Sequence, residues 1–375
     1  MKRNKEEPFL DYHQVHKEKK KLKTFKSDFY QMNSIFGNDW AVFYALIGGR
    51  GVGKSYAAMR WAVLNKIRKG DLMKFYWFRL TDAAVKNLLA DGADKLIDPD
   101  IKRKYNLKVT TNNTTVYTYK EEKKTIKHRD GTTSEKITRT NMTQFCEVLS
   151  CSTFYNTKGV GYFDKDYNGQ YILILDEMNR EQSEKNNFDI VYNFANLIEN
   201  LVRTTHINIK VIMIGNTLDE ASDILSAFNF IPDELGRYKL KKKKCVIDYI
   251  RPNEAYLERQ KTSLANILLP NASTFTNEIK IDRSLLVNKR KCKTPMSIIK
   301  FSKDKSDWFT VYNGNIIKNY NNETKPGVAM RRYIDDVFNQ QAVKNIFEQW
   351  DARAFRFANL ATLKRFQKQL KLIKK

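Results

Sequence analysis

Residues 46–56 read LIGGRGVGKSY, a glycine-rich segment between two regular secondary-structure patterns. An apolar run, AVFYALI, enters it, and a helix-compatible run, SYAAMRWAVLNKI, leaves it. Gly48, Gly53, Lys54 and Ser55 fit the pattern G-x-x-x-x-G-K-[ST] of a phosphate-binding loop. Because a strand precedes the loop and a helix follows it, we interpret the stretch as a nucleotide site and not as an incidental glycine-rich turn.

Each residue type in this loop has a mechanical purpose. The glycines let the backbone fold so that its N–H groups face phosphate oxygens, and the following helix adds its positive N-terminal end. Lys54 neutralises the β- and γ-phosphates, and Ser55 offers an oxygen to Mg²⁺. The predicted cofactors are therefore ATP and Mg²⁺. The residues expected to surround the nucleotide are Gly48, Gly49, Arg50, Gly51, Val52, Gly53, Lys54, Ser55 and Tyr56.

A second motif supplies the acids that such a loop requires. The run YILILDE at 171–177 is continuously apolar before its two acids, which is typical of a buried parallel strand. Asp176 is predicted to hold Mg²⁺ through water as a Walker B aspartate. Glu177 is predicted to orient and polarise the attacking water. A strand ending in solvated acids is the alternative, but the phosphate loop favours the catalytic interpretation, and the extra glutamate favours hydrolysis.

Two further candidates complete a motor-like set. Asn216 follows the next apolar run, VIMIG, where its amide would sense the γ-phosphate or the attacking water, or would cap the next helix. Arg203 ends the preceding helix-compatible segment, where it would serve as an arginine finger for a neighbouring subunit or as an ordinary basic helix end.

Composition narrows the class of partner. The 375 residues carry a formal net charge of +25, which indicates a polyanion, either nucleic acid or an anionic membrane surface. No apolar run approaches the roughly 20 residues that span a bilayer, and the start MKRNKEEPF lacks a signal-peptide core. We therefore expect a soluble intracellular protein without membrane contact, and nucleic acid as its partner. The four cysteines form no metal-binding pattern.

The order of elements predicts an α/β fold with two domains. Strands that alternate with helices indicate a parallel central sheet with right-handed crossovers. We expect a P-loop ATPase domain over 1–252, with a basic N-terminal arm at 1–35 and a basic hairpin-like insertion at 100–145. A helical linker at 253–285 and a smaller α+β domain at 286–375 complete the predicted organisation.

Local patterns add detail to this division. RDGT at 129–132 lies between two strand-like runs and predicts the turn of a hairpin. The arm, with KEKKKLK at 17–23, is predicted to be solvated or an interrupted helix. From Arg331 onward the chain is predicted to be amphipathic and helical.

At this point the residues resemble a known family. The segments GGRGVGKSY, ILILDEMNRE and NLVRTTHINIKVIMIGNT, in this order, resemble the DNA-encapsidation ATPases of small tailed bacteriophages. These are compact relatives of terminase large subunits in the additional-strand (ASCE) branch of ring ATPases. Arg50 inside the loop is typical of packaging ATPases. The resemblance is good over roughly 40–250 and weaker beyond.

The resemblance implies a homomeric ring, a pentamer, at the portal vertex of a procapsid. The ring would pump double-stranded DNA of any sequence inward by ATP hydrolysis, in the host cell cytoplasm and transiently on the portal protein. A structural packaging RNA is a further candidate partner.

The family's site residues transfer to matching positions of this chain. Lys54 and Ser55 match the phosphate loop, Asp176 matches the Walker B position, and Glu177 matches the catalytic glutamate. The remaining matches are Asn216 for the coupling position, Arg203 for the trans-acting arginine and, at a longer spacing than in the family, Lys158 for a trans-acting lysine.

The C-terminal domain of the family resembles an RNase H-type nuclease, which needs several carboxylates around two metal ions. Here the clearest strand, WFTVYNG, carries no acid after Asp307, and Asp335 and Asp336 lie on a predicted helix. We therefore interpret the nuclease as vestigial and the domain as a basic docking platform for nucleic acid or the portal. The alternative is that its charge forms only a solvated face.

Three other functions remain in competition. The first is a helicase-like or DNA-loading ATPase, but this sequence contains no recognisable helicase motif set. The second is a nucleotide-switched nucleic-acid-binding protein without appreciable turnover, which Glu177 disfavours. The third is a small-molecule phosphotransferase, for which no acceptor-pocket signature is visible.

Overall fold

The protein is described from a computed structural model in which the chain folds into two compact units. The first unit comprises Met1–Thr217 and Leu235–Asn277, and the second comprises Leu218–Glu234 and Glu278–Lys375. The described residues are 15–18, 30–32, 35–37, 40–127, 133–153, 167–179, 188–202, 208–216, 222–252, 254–261, 264–268, 283–287, 295–300, 308–320, 330–333 and 340–373.

A ten-stranded sheet organises the first unit. Its strands are β1 (Val15–Glu18), β2 (Phe43–Ile47), β3 (Met73–Arg79), β4 (Lys108–Asn112), β5 (Thr115–Lys127), β6 (Thr133–Ser150), β7 (Gln170–Leu175), β8 (Asn208–Gly215), β9 (Gly236–Leu240) and β10 (Cys245–Tyr249). Their spatial order is β1-β9-β10-β2-β8-β7-β3-β6-β5-β4.

The middle of this sheet is parallel, as the alternating pattern predicts. Strands β10, β2, β8, β7, β3 and β6 pair in parallel with their neighbours in that order. Every residue of β7 and of β10 is buried, because a parallel sheet is covered on both faces. This burial explains why their sequences, QYILIL and CVIDY, are so largely apolar.

The helices belong to both units: some cover the ten-stranded sheet of the first unit, and the others pack in the second unit. They are α1 (Lys54–Lys69), α2 (Asp82–Ala93), α3 (Pro99–Lys104), α4 (Ile190–Val202), α5 (Asp223–Ala227), α6 (Glu254–Lys261), α7 (Leu264–Leu268), α8 (Gln340–Asp351) and α9 (Leu360–Ile373), with short 3₁₀ turns at Gly70–Leu72, Lys241–Lys243 and Arg283–Leu285. Helix α1 packs on β3 and β8. Its buried Ala58, Ala62 and Val63 keep the helix close to the sheet.

The predicted hairpin is present, but it is an extension of the central sheet. Strands β5 and β6 pair antiparallel from Thr115↔Glu147 outward to Lys127↔Thr133. The inner end of β6 then pairs in parallel with β3, from Tyr76↔Glu147 to Arg79↔Ser150. Residues predicted as an insertion at 100–145 are thus continuous with a strand of the core.

The opposite edge of the sheet contains part of the N-terminal arm. Residues Val15–Glu18 form β1, which pairs antiparallel with β9. The prediction of an interrupted helix is wrong for these four residues, because backbone pairing with an available sheet edge takes precedence over local sequence preference. The KEKKKLK segment otherwise lies outside the described residues.

The second unit contains a five-stranded mixed sheet. Its strands, β11 (Pro295–Lys300), β12 (Trp308–Tyr312), β13 (Ile316–Tyr320), β14 (Met330–Tyr333) and β15 (Arg356–Phe357), lie in the order β14-β11-β12-β13-β15. Strands β11, β12 and β13 are antiparallel, whereas β14 and β15 pair in parallel with β11 and β13. The buried ring of Phe366, on α9, packs against Phe309 and Phe357.

Two features differ from the sequence predictions for this part of the chain. The tail from Arg331 is not wholly helical, because β14 and β15 interrupt it. Residues 218–234, expected in the first domain, belong to the second unit, where Asp223 forms ion pairs with Arg365 and Lys368 of α9. The described helices include none long and apolar enough to cross a membrane.

Candidate nucleotide-binding site

Four neighbouring strands deliver the candidate residues to one edge of the sheet. Strands β2, β8, β7 and β3 lie side by side and run parallel. Their carboxyl ends lead into the phosphate loop, Asn216, Asp176 and, at the last residue of β3, Arg79. In open parallel sheets ligands bind at the carboxyl ends of the strands. The topology therefore assembles residues that are far apart in sequence.

The phosphate loop has the backbone geometry that its glycines predict. Gly51 and Gly53 have φ angles of 83° and 90°, in the left-handed region that favours glycine. A side chain at Gly51 would also lie 2.9 Å from the ring of Tyr256. Tyr256, on α6, is buried and donates a hydrogen bond from its hydroxyl to the carbonyl of Arg50. The first residues of the predicted linker at 253–285 thus brace the loop.

Lys54 is the first residue of α1, and its side chain is almost fully buried. Its Nζ donates to the carbonyls of Gly48 and Gly49, at 2.9 and 2.7 Å. Burial lowers the pKa of Lys54 to about 8, which the nearby Asp176 carboxylate opposes and Arg50 reinforces. A phosphate would offer this ammonium a stronger acceptor than two carbonyls do.

Ser55 connects the phosphate loop with the predicted Walker B strand. Its hydroxyl donates to Asp176 Oδ1 at 2.9 Å. Asp176 is buried, and burial raises the pKa of its carboxyl against the opposing effects of Arg79 and Ser55. Hydroxyl and carboxylate oxygens are ligands that Mg²⁺ accepts, so these two side chains fit a metal shared with a nucleotide.

Glu177, which lines the nucleotide cleft, adopts a strained backbone conformation. Its φ angle is 59°, a region that costs an L-residue about 1–2 kcal/mol. The flanking amides restrain it, because Asp176 N–H donates to Phe78 O at 3.0 Å and Met178 N–H donates to Ile214 O at 2.8 Å. Strain of this kind is characteristic of functional sites.

Arg79 contacts both acids and was not predicted from the sequence. Its Nη1 lies 2.9 Å from Asp176 Oδ2 and 3.0 Å from Glu177 Oε2. The Asp176 side chain is 7% exposed, whereas that of Glu177 is 57% exposed. Arg79 therefore clamps a buried acid and an accessible one together. The available signal was a basic residue at the end of the strand-like run MKFYWFR.

Lys54, Ser55 and Glu177 line a cleft of about 1070 Å³, large enough for a nucleotide. Asn216 lies in its wall together with Glu177. Tyr56, which the sequence analysis placed beside the nucleotide, is 41% exposed and also lines the cleft. The other lining residues are Tyr30, Gln31, Met32, Arg50, Gly51, Gly53, Lys54, Ser55, Ala57, Arg60, Trp61, Leu64, Asn65 and Arg68.

The remaining predicted site residues have separate outcomes. Val52 is buried, and its carbonyl accepts a hydrogen bond from Tyr30 N–H. Its role is therefore to anchor the loop to the core. Arg203 and Lys158 lie outside the described residues. Their proposed trans-acting roles stay predictions.

Comparisons with known proteins identify the fold. No protein-family model matches the chain, and no curated protein sequence matches it. Among solved structures, the bacteriophage Phi-29 viral genome packaging motor assembly matches with a TM-score of 0.57 and 14% identity, covering 93% of this chain and 100% of that one. The Phi-28 gp11 DNA packaging motor matches with a TM-score of 0.51 and 14% identity, covering 92% and 98%.

A large terminase ATPase domain from Thermus phage P74-26 also matches, with a lower TM-score of 0.38. It has 12% identity over 64% of this chain and 87% of that one. At such identities the comparisons establish the fold and not the activity. The chain shares its mixed α/β fold with bacteriophage DNA packaging ATPases, as the resemblance predicted.

Proposed function

We propose that the protein is an ATP-hydrolysing motor that moves double-stranded viral DNA into a procapsid. The observation that carries the proposal is the 2.9 Å contact between Ser55 and Asp176, which joins the phosphate loop to the Walker B strand. Lys54 and Glu177 line the same cleft. This arrangement suits hydrolysis of a nucleoside triphosphate, because it places phosphate, metal and water ligands together.

Within this proposal each side chain has one task. Lys54 binds the β- and γ-phosphates, Glu177 orients the attacking water, and Asn216 senses the γ-phosphate or that water. Mg²⁺, held by Ser55 and Asp176, would neutralise charge on the phosphates. The buried position of Asp176 supports a metal role, since a cation beside it would offset the desolvation of the carboxylate.

Arg79 gives the site a resting state. While Arg79 Nη1 lies 3.0 Å from Glu177 Oε2, the carboxylate is engaged and poorly placed to accept a proton from water. Hydrolysis then requires Glu177 to leave Arg79 and turn to the γ-phosphate. Asp176 would keep Arg79 in place during this movement, through the second contact of 2.9 Å.

The fold supports assignment to the additional-strand class of P-loop ATPases. Strand β8 lies between β2, which enters the phosphate loop, and β7, which carries the acids. We extend the proposal to the second unit as an RNase H-like domain without nuclease activity, because its five described strands carry no Asp or Glu. It would dock nucleic acid, including a structural RNA, or the portal.

The assembly is part of the same proposal. A homomeric ring, taken as a pentamer, would sit on the portal vertex of a procapsid in the host cell cytoplasm. Arg203, and in second place Lys158, would reach the nucleotide of the neighbouring subunit, so that hydrolysis depends on a closed head-to-tail ring. Similarity in fold to a packaging motor assembly supports this arrangement.

ATP hydrolysis by the purified protein tests the proposal, with and without long duplexes of unrelated sequence across a salt series. We expect Mg²⁺-dependent turnover that any long duplex stimulates and that salt suppresses, since phosphate contacts are sequence-blind. Turnover without DNA stimulation, even when the portal is supplied, would contradict a translocase. Strand separation during turnover would instead favour a helicase.

Two variants test the ring. Arg203→Ala should lose DNA-stimulated turnover while retaining nucleotide binding. Mixing it with a Lys54→Met protein should restore part of the activity, because an intact site and an intact arginine then meet at some interfaces. Loss of nucleotide binding in the Arg203→Ala protein would show that the residue is structural.

A further inference from the structure

The outer half of the β5–β6 hairpin forms a two-stranded ribbon, which the nucleotide site does not use. Strand β4 pairs with β5 only over Thr115–Tyr119, and β3 pairs with β6 only over Glu147–Ser150. Residues 120–127 and 133–140, here called the distal ribbon, pair only with one another among the described strands. At a rise of about 3.3 Å per residue the ribbon extends roughly 25 Å beyond its neighbours.

The two faces of the distal ribbon differ in charge. Side chains alternate between faces, and paired residues share one face. One face, here called the lysine face, holds the pairs Lys120↔Thr140, Glu122↔Thr138, Lys124↔Lys136 and Ile126↔Ser134. The opposite face holds the pairs Glu121↔Arg139, Lys123↔Ile137, Thr125↔Glu135 and Lys127↔Thr133.

Both acidic residues of the opposite face form ion pairs. Lys123 Nζ lies 2.9 Å from Glu135 Oε2, and Lys108 of β4 lies 3.3 Å from Glu121 Oε2. Arg139 donates to Thr110 Oγ1 at 3.2 Å and lies over the Tyr119 ring. This face therefore has acids matched to bases.

The lysine face lacks that balance. Its single acid, Glu122, accepts a hydrogen bond from Thr140 at 3.1 Å. Lys124 and Lys136 occupy directly opposite positions in the ladder, where like charges destabilise a sheet. Lys120 and Lys136 are exposed. The electrostatic repulsion between two lysines at one register position is reduced when an anion such as a phosphate binds beside them.

We propose that the lysine face binds the phosphate backbone of double-stranded DNA, an inference that rests on the proposed motor function. Lysines with interspersed threonine and serine hydroxyls are typical donors to phosphate oxygens. The major groove of B-form DNA is wide enough for a two-stranded ribbon, whereas that of A-form RNA is too narrow. A protein partner is disfavoured, since the exposed Ile126 and Ile137 lie on opposite faces and form no apolar patch.

A matched pair of charge variants tests this assignment. The first carries Lys120→Gln, Lys124→Gln and Lys136→Gln on the lysine face. The control carries Lys123→Gln and Lys127→Gln on the opposite face and Lys108→Gln on the neighbouring strand β4, so it removes the same total charge. Binding of fluorescent DNA duplexes of two unrelated sequences, and of an RNA duplex of equal length, is followed across a salt series.

The lysine-face variant should bind both DNA duplexes roughly tenfold more weakly, and the slope of log affinity against log salt should fall by about 2 to 3. The control should change much less. Equal losses in the two variants, a loss confined to RNA, or unchanged DNA binding would overturn the assignment. The ribbon does not line the nucleotide cleft. Hydrolysis of ATP without DNA should therefore be normal in both variants, and it reports correct folding.

The two proposals fail in distinguishable ways. DNA-stimulated hydrolysis by the wild-type protein, combined with normal DNA binding by the lysine-face variant, would overturn the ribbon assignment and leave the motor function standing. A wild-type protein that hydrolyses ATP but binds no duplex would overturn both.

Discussion

The middle of the ten-stranded sheet and its outer hairpin use charge in opposite ways. At the middle, Arg79 and Asp176 form an ion pair whose side chains are 16% and 7% exposed, beside the buried Lys54. In the hairpin, Lys123 and Glu135 form a pair of the same length whose side chains are 68% and 63% exposed. Both regions belong to one continuous sheet.

This difference in burial suits the two regions to different functions. A buried charge is poorly screened and strongly coupled to its partners, so one residue can control a reaction. An exposed charge is screened by salt and contributes little alone, so many must act together. The middle of the sheet is therefore suited to chemistry on one phosphate group. The hairpin is suited to contact with a long polyanion.

The largest effect should come from Lys54→Met. This change removes the only ammonium that the described structure directs at the loop carbonyls of Gly48 and Gly49. Because hydrogen bonds from a charged donor contribute about 1.5–3 kcal/mol each, ATP affinity should fall roughly a hundredfold or more. Equilibrium binding of a fluorescent ATP analogue measures it.

The unliganded Lys54→Met protein serves as its own folding control. It should be at least as stable as the wild type, since burial lowers the pKa of Lys54 and thus disfavours its charged form. Unchanged ATP affinity would show that the cleft binds nucleotide elsewhere, if at all.

Arg79→Ala should have the next largest effect, on stability. Removing one partner of a mostly buried pair leaves Asp176 uncompensated, which should cost about 2–3 kcal/mol of unfolding free energy. The matched change, Lys123→Ala, should cost less than about 0.5 kcal/mol because its pair is exposed. Denaturant unfolding of both variants makes the comparison. Similar losses for the two variants would refute the contrast between buried and exposed pairs.

An ion-pair cluster of intermediate burial in the second unit should give a smaller effect than Arg79→Ala, with a distinct pH dependence. Asp223 is desolvated, which alone would raise its pKa, but Lys368 and Arg365 outweigh this and hold the pKa below its usual 3.8. Its stabilisation is therefore complete above the unfolded-state pKa and is lost as pH falls through the folded-state value.

Asp223→Asn tests this dependence by thermal unfolding between pH 7 and pH 3. At pH 7 the variant should be less stable than the wild type by roughly 1 kcal/mol. The difference should shrink as the pH falls below about 3.8, because the unfolded chain then binds a proton at Asp223 before the folded protein does. A difference that is constant over the whole range would mean that the charge of Asp223 is irrelevant.

Sequence reasoning succeeded where the information is local. The strand and helix that flank the predicted phosphate loop, and the buried strand β7 with the acids after it, are each specified by a few consecutive residues, so these secondary-structure elements were predicted correctly. Arg79 was missed because it lies 97 residues before Asp176, and only the pairing of β3 with β7 brings them together. Neighbouring strands in a sheet are not specified by local pattern.

The same limit explains the errors in the hairpin and the tail. RDGT predicted the turn, yet the ending of β6 beside β3 depends on long-range pairing and not on the turn. The short strands β14 and β15 have no apolar periodicity of their own. They form because β11 and β13 offer edges to pair with.

Glu177→Gln tests whether this cleft hydrolyses ATP. The measurement compares steady-state ATP turnover and ATP-analogue binding of the wild-type and variant proteins with Mg²⁺ present. Because the amide cannot act as a base, turnover should fall by roughly 10²–10⁴-fold while binding stays within a few-fold. Equal turnover in the two proteins, or a wild type that binds ATP without hydrolysing it, would contradict the claim.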